Sequence, residues 1–276
     1  MTEGIESSPL LLLNGERDNL KTFLLKFEED LYKNHYRKVI KGNTESNQLS
    51  SLMDEITFFL FYSGVEETCA GEIAEVLVEL VGNAWEHAES ECLIDLDVTG
   101  SYFTSGSDNT FLGINIAVVN FSPLLFGQQL EQKMNTLAEG IGDRYCELKR
   151  ALDFHQKKFC SEYRKEDFFN IASYQHKISG RSGNIYTGGT GLTKLISSLE
   201  QRSYRHMCYM ISGARALWFN KDNLEYDRNG WISFNANNDF FTTIPSKGTV
   251  TDNTIYMPGT AYNLNFVMER GQENGE

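Results

Sequence analysis

Between residues 67 and 88 the apolar residues Ile73, Val76, Leu77, Leu80 and Ala84 recur three or four positions apart. That spacing predicts one helix with a single buried stripe. Its second half reads Glu79-Leu80-Val81-Gly82-Asn83-Ala84-Trp85-Glu86-His87, which sets Glu79, Asn83 and His87 at i, i+4 and i+8, in one row along the helix. At about 100° per residue the row falls on the border of the apolar stripe. A buried amide or imidazole without a partner costs roughly 1–3 kcal/mol, so these side chains require partners. Two readings are open: the row bonds neighbouring backbone, or it faces a bound ion and phosphate.

The flanking patterns place this helix in an α+β layered fold, with helices stacked on one face of a mixed sheet. Residues 17–40 read as an amphipathic helix carrying Leu20, Phe23, Leu24, Phe27 and Leu31. After a polar connection at 41–48 a second helix covers about 50–63 and stops at Gly64. Strands are expected near 91–99 and 111–120, joined by a Ser/Gly/Asp/Asn-rich turn. Residues 127–178 are charged and periodic at Leu137, Ile141, Tyr145, Leu148 and Leu152, and read as a helical insertion. A glycine-rich loop at 179–191 leads into a helix at 191–201, and strands are expected beyond it. Asp227-Arg228-Asn229-Gly230 is a hairpin-turn candidate, and the last strand is expected at about 260–268.

A formal net charge of -13 argues against nonspecific nucleic-acid binding, which needs basic surface to neutralise phosphates. Five scattered cysteines without a CxxC pair indicate neither a disulfide framework nor a zinc site. A cytoplasmic location, with no membrane association, is the expectation: there is no secretory leader and no apolar run of the roughly 20 residues that span a bilayer.

The series Glu79-x-x-x-Asn83-Ala84-x-x-His87 resembles the N box of the GHKL ATPases (gyrase, the large heat-shock chaperone, histidine kinases, mismatch-repair ATPases). The form is closest to that of the anti-sigma-factor kinases. The resemblance implies a Bergerat-type fold, an α+β two-layer sandwich. It also implies Asn83 as the Mg²⁺ ligand bridging ATP phosphates, Glu79 as general base, and His87 as a supporting contact. The residue types suit this chemistry: Mg²⁺ takes hard oxygen ligands, and a carboxylate one helical turn away can accept a proton.

Three further segments follow in the family's order. Gly188-Gly189-Thr190-Gly191-Leu192 resembles the G2 box, which closes over the triphosphate; free N–H groups at a helix start suit an anion. A P-loop reading of Gly183 to Thr190 fails, because Gly189 stands where the lysine belongs. Asn120 stands where the family's G1 box has an adenine-binding Asp, with Ser122 and Leu124 replacing its glycines. A neutral amide accepts a hydrogen bond more weakly than a carboxylate. Thr260, within Pro258-Gly259-Thr260, resembles the closing strand that holds adenine from the sheet side.

The resemblance spans roughly residues 66–268 and implies an ATP-binding domain at 66–270, with a lid insertion at 127–178. The cofactors implied are ATP and Mg²⁺, and the implied partner is a protein acting as substrate or binder. Two functions are open: ATP hydrolysis or phosphotransfer to a protein, and a nucleotide-gated interaction module with little turnover. Residues 1–65 form either a dimerisation element, giving a homodimer, or part of the same core.

Overall fold

The computed structural model describes residues 35–41, 46–88, 91–103, 110–136, 143–175, 178 and 198–270. The described elements are β1 (His35–Ile40), α1 (Ser46–Tyr62), α2 (Glu67–Ala88), β2 (Cys92–Phe103), β3 (Thr110–Phe121), α3 (Gln128–Thr136), α4 (Asp143–His155), α5 (Lys165–Ala172), β4 (Arg205–Phe219) and β5 (Val250–Glu269). The five strands form one open sheet in the order β1-β2-β3-β5-β4.

Every pairing in that sheet is antiparallel, which corrects the expectation of a mixed sheet. Neighbouring strands here run in opposite directions, as β2 and β3 do across their short connection, so no parallel crossover unit arises. The α+β layering itself is present. Ile94, Leu96, Ile114, Ile116, Leu264 and Phe266 pack in one core with Ile73, Leu77 and Leu80 of α2 and Ile56 and Leu60 of α1.

The two helices have local causes. At the end of α1, Gly64 takes φ +91°, and Val65 N–H donates to the Leu60 carbonyl at 3.0 Å, the glycine-terminated stop that satisfies last-turn carbonyls. At the start of α2, the Glu66 carboxylate accepts from the free N–H groups of Thr68 and Cys69, each at 3.0 Å. The bond from Thr68 is the chief reason the Glu66 pKa is lowered.

Residues 35–40 form strand β1, not the end of a helix over 17–40; the remaining residues of that predicted helix lie outside the described residues. The apolar spacing that suggested a helix stops at Leu31. Beyond it, cross-strand partners decide the conformation. Arg37 pairs with Asp95 of β2, while Tyr36 and Lys38 reach Glu55 of α1 at 2.9 and 2.7 Å.

β5 begins at Val250 rather than near 260. Pro258-Gly259 reads as a strand start in sequence but is a bend inside one long strand. Gly259 has φ +105° and faces the register irregularity at Gly213 of β4, φ +60°. The segment between β4 and β5 is a compact loop rather than more strands. It includes the expected turn: Asp227 Oδ1 accepts from Asn229 N and Trp231 N at 2.8 and 2.9 Å, and Gly230 has φ +74°.

The 127–178 segment contributes three helices, and its Leu148, Phe168, Phe169 and Tyr174 enter the main core. A buried ion pair ties α5 to the sheet. Arg215 Nε and Nη2 each donate at 2.8 Å to Asp167, and both side chains are about 1% exposed.

Candidate functional site

Helix α2 buries Ile73, Ala74, Val76, Leu77, Leu80 and Val81 and leaves Glu79 and Asn83 half-buried at the margin. His87 lies on the last turn of α2, and its side chain is outside the described residues. Gly188, Gly189, Thr190, Gly191 and Leu192 are likewise outside them.

The strand register builds a polar row on the helix-facing side of the sheet. Cys92 of β2 pairs with Asn120 of β3, Asn120 with Thr260 of β5, and Thr260 with Ser212 of β4. Directly opposed residues share a face, and alternation places this row on the side of Ile94, Val118, Tyr262 and Met210, the core side. The sheet's helix-facing surface therefore carries a polar row, Asn120–Thr260–Ser212, with residues 6%, 7% and 3% exposed.

Burial raises the Tyr262 phenol pKa far above its ordinary value, and the nearby Glu79 charge pushes it further in the same direction, against a lowering contribution from the Tyr174 hydrogen bond. Tyr262 is two residues from Thr260 on the same face of β5. Its hydroxyl meets that of Tyr174 at 3.0 Å, so the end of the helical segment covers the neighbouring row. Burial pushes the Cys92 thiol up to about 12, so it is no thiolate nucleophile near neutral pH.

Two features hold the row. Gly259 approaches β3 so closely that an added Cβ would collide with the Asn120 carbonyl and lie 2.7 Å from Ser122 N. Ser212 Oγ donates to the Gly259 carbonyl at 2.6 Å and accepts from Phe126 N at 2.9 Å, which joins the bend to the chain entering α3. In the turn after β3, Ser122 Oγ accepts from Leu124 N at 3.1 Å.

Asn120 and Thr260 are thus brought together from separate strands, while Glu79 and Asn83 stand half-buried on α2. Ser212 was missed in sequence. Within Tyr209-Met210-Ile211-Ser212-Gly213 only the following glycine hinted at a special position, and its neighbour Thr260 is set by cross-strand register. Chemically the row offers neutral hydrogen-bonding groups, and the helix margin above offers a carboxylate and an amide oxygen. A separate cavity of about 390 Å³ at the β4 edge, lined by His206, Trp218 and Lys247 among others, includes none of the expected residues.

No helix among the described residues is long and apolar enough to cross a membrane. No family model matches the chain, and no curated protein or solved structure matches it either.

Proposed function

We propose that the chain binds Mg-ATP in the manner of the GHKL proteins, at the margin of α2 over the Asn120–Thr260–Ser212 row. Asn83 supplies the amide oxygen to Mg²⁺. Glu79 takes the proton from water or from a protein hydroxyl during γ-phosphate hydrolysis or transfer. Asn120 and Thr260 receive the base, and the glycines at 188–191 with Leu192 close over the phosphates.

The observation that carries this reading is the pairing of Asn120 with Thr260 on the helix-facing side of the sheet. These two residues stand 140 positions apart in sequence, and the strand register brings them together. The test is equilibrium binding of a labelled ATP analogue with Mg²⁺ to the full chain. Saturable, Mg²⁺-dependent binding is expected, and its absence overturns the proposal.

A second reading, a nucleotide-gated module with little turnover, is favoured by the turn after β3. The resemblance implies glycines there, whereas Ser122 holds the turn through its own hydroxyl, and Asn120 offers a neutral acceptor. Phosphate release by wild type and Glu79→Ala separates the two. A rate that Glu79→Ala abolishes means turnover, and no release by a wild type that binds ATP means gating.

A further inference from the structure

On the sheet face opposite α2, three metal-ligating side chains converge. His35 of β1 lies directly across from Asp97 of β2, and Asp95 precedes Asp97 by two residues, so all three share that face. His35 Nε2 is 2.5 Å from Asp95 Oδ1 and 3.7 Å from Asp97 Oδ1. The three ligand atoms lie within 4.8 Å of one another. Ligands on one cation with bonds of about 2.1 Å stand roughly 3.0 to 3.4 Å apart in octahedral or tetrahedral sites, and the two separations bracket that range. The side chains are only 13%, 23% and 13% exposed for His35, Asp95 and Asp97.

An independent observation extends from this cluster into the sheet. Asp97 pairs with Asn115 of β3, and Asn115 with Asn265 of β5, so the row continues on the same face. Asn115 Oδ1 is buried without a hydrogen-bond partner. Asn265 is 0% exposed, and neither its Oδ1 nor its Nδ2 has a partner. A buried amide atom left without a partner is costly, and Asn115 stands directly across from Asp97. A cation at the Asp97 end gives Asn115 Oδ1 a positive partner.

We propose that His35 Nε2, Asp95 Oδ1, Asp97 Oδ1 and Asn115 Oδ1 bind one divalent transition-metal ion of the zinc or manganese class. The imidazole argues against Mg²⁺ and Ca²⁺, and the oxygen-rich remainder against soft Cu(I). Arg37 holds the other carboxylate oxygen of Asp95 and so orients the ligand from outside the ion, as outer partners of metal ligands do. The ion bridges β1 to the rest of the sheet. It is separate from the Mg²⁺ of the nucleotide site, and the proposal stands or falls independently of ATP binding.

The full chain, stripped with chelator, is titrated with Zn²⁺ and with Mn²⁺ by calorimetry, and with Co²⁺ by visible absorption. One ion per chain is expected, with a rise in the thermal unfolding midpoint. The isosteric Asp97→Asn, and separately His35→Ala, lower affinity at least tenfold. Asn115→Leu weakens binding by less, and its folded state is checked by circular dichroism. Absence of binding by the wild type overturns the proposal. So does binding that both Asp97→Asn and His35→Ala leave unchanged. If His35→Ala fails to fold, Asp97→Asn, which preserves side-chain shape, decides alone.

Discussion

Asn120 and Thr260 face each other across the β3–β5 ladder, both nearly fully buried on the helix side of the sheet. That pairing puts two hydrogen-bonding side chains among the apolar residues of the helix-facing surface. Removing either function without changing shape tests it. Thr260→Val and Asn120→Leu are each expected to weaken nucleotide binding about tenfold, the loss of roughly one hydrogen bond of ~1.4 kcal/mol. The readout is the dissociation constant of an ATP analogue, with the unfolding midpoint as control.

Gly259 brings β5 against β3. Its φ of +105° and the collision an added Cβ would make with the Asn120 carbonyl both oppose any side chain. Gly259→Ala is expected to destabilise the fold by on the order of 3 kcal/mol, measured by urea denaturation. A loss under about 1 kcal/mol would show that the bend can relax.

Arg215 and Asp167 form a doubly bonded pair with both side chains about 1% exposed. Arg215→Met leaves the Asp167 charge buried and unpaired, which costs about 3–5 kcal/mol. The Arg215→Met/Asp167→Asn double variant removes the orphaned charge and should recover part of that loss. Denaturant midpoints of the two variants provide the comparison.

His155 is buried; its Nε2 donates to the Phe240 carbonyl at 2.8 Å, and Tyr163 Oη donates to its Nδ1 at 2.7 Å. Burial lowers its pKa, against raising contributions from the Phe240 carbonyl and Asp239. The unfolded chain therefore takes up this proton first as pH falls below about 6.5. The stabilisation is complete above that pH and declines as pH falls toward the folded pKa. His155→Gln is expected to lose less stability than wild type between pH 7.5 and 5. Equal losses in urea denaturation would contradict the assignment.

Local signals in the sequence carried the elements that depend on local physics. α2 was legible from Ile73, Val76, Leu77 and Leu80, the end of α1 from Gly64, and the 227–230 turn from Asp227 and Gly230. β1 was not legible, because six residues with little apolar periodicity become a strand only through Asp95 and Glu55, far along the chain. The Asn120–Thr260 pairing was not legible: the resemblance implied only that each residue contacts adenine, and no periodicity relates strand positions 140 residues apart. Ser212 and the His35–Asp95–Asp97 cluster were invisible for the same reason: register, not spacing, brings them to their partners.

In the proposed site Asn83 is the residue that holds Mg²⁺. Equilibrium binding of a labelled ATP analogue, with and without Mg²⁺, to wild type and Asn83→Ala tests it most directly. Saturable binding by wild type that needs Mg²⁺ is expected, with at least a tenfold loss in a folded Asn83→Ala. No binding by wild type, or Mg²⁺-dependent binding that Asn83→Ala leaves unchanged, would contradict it.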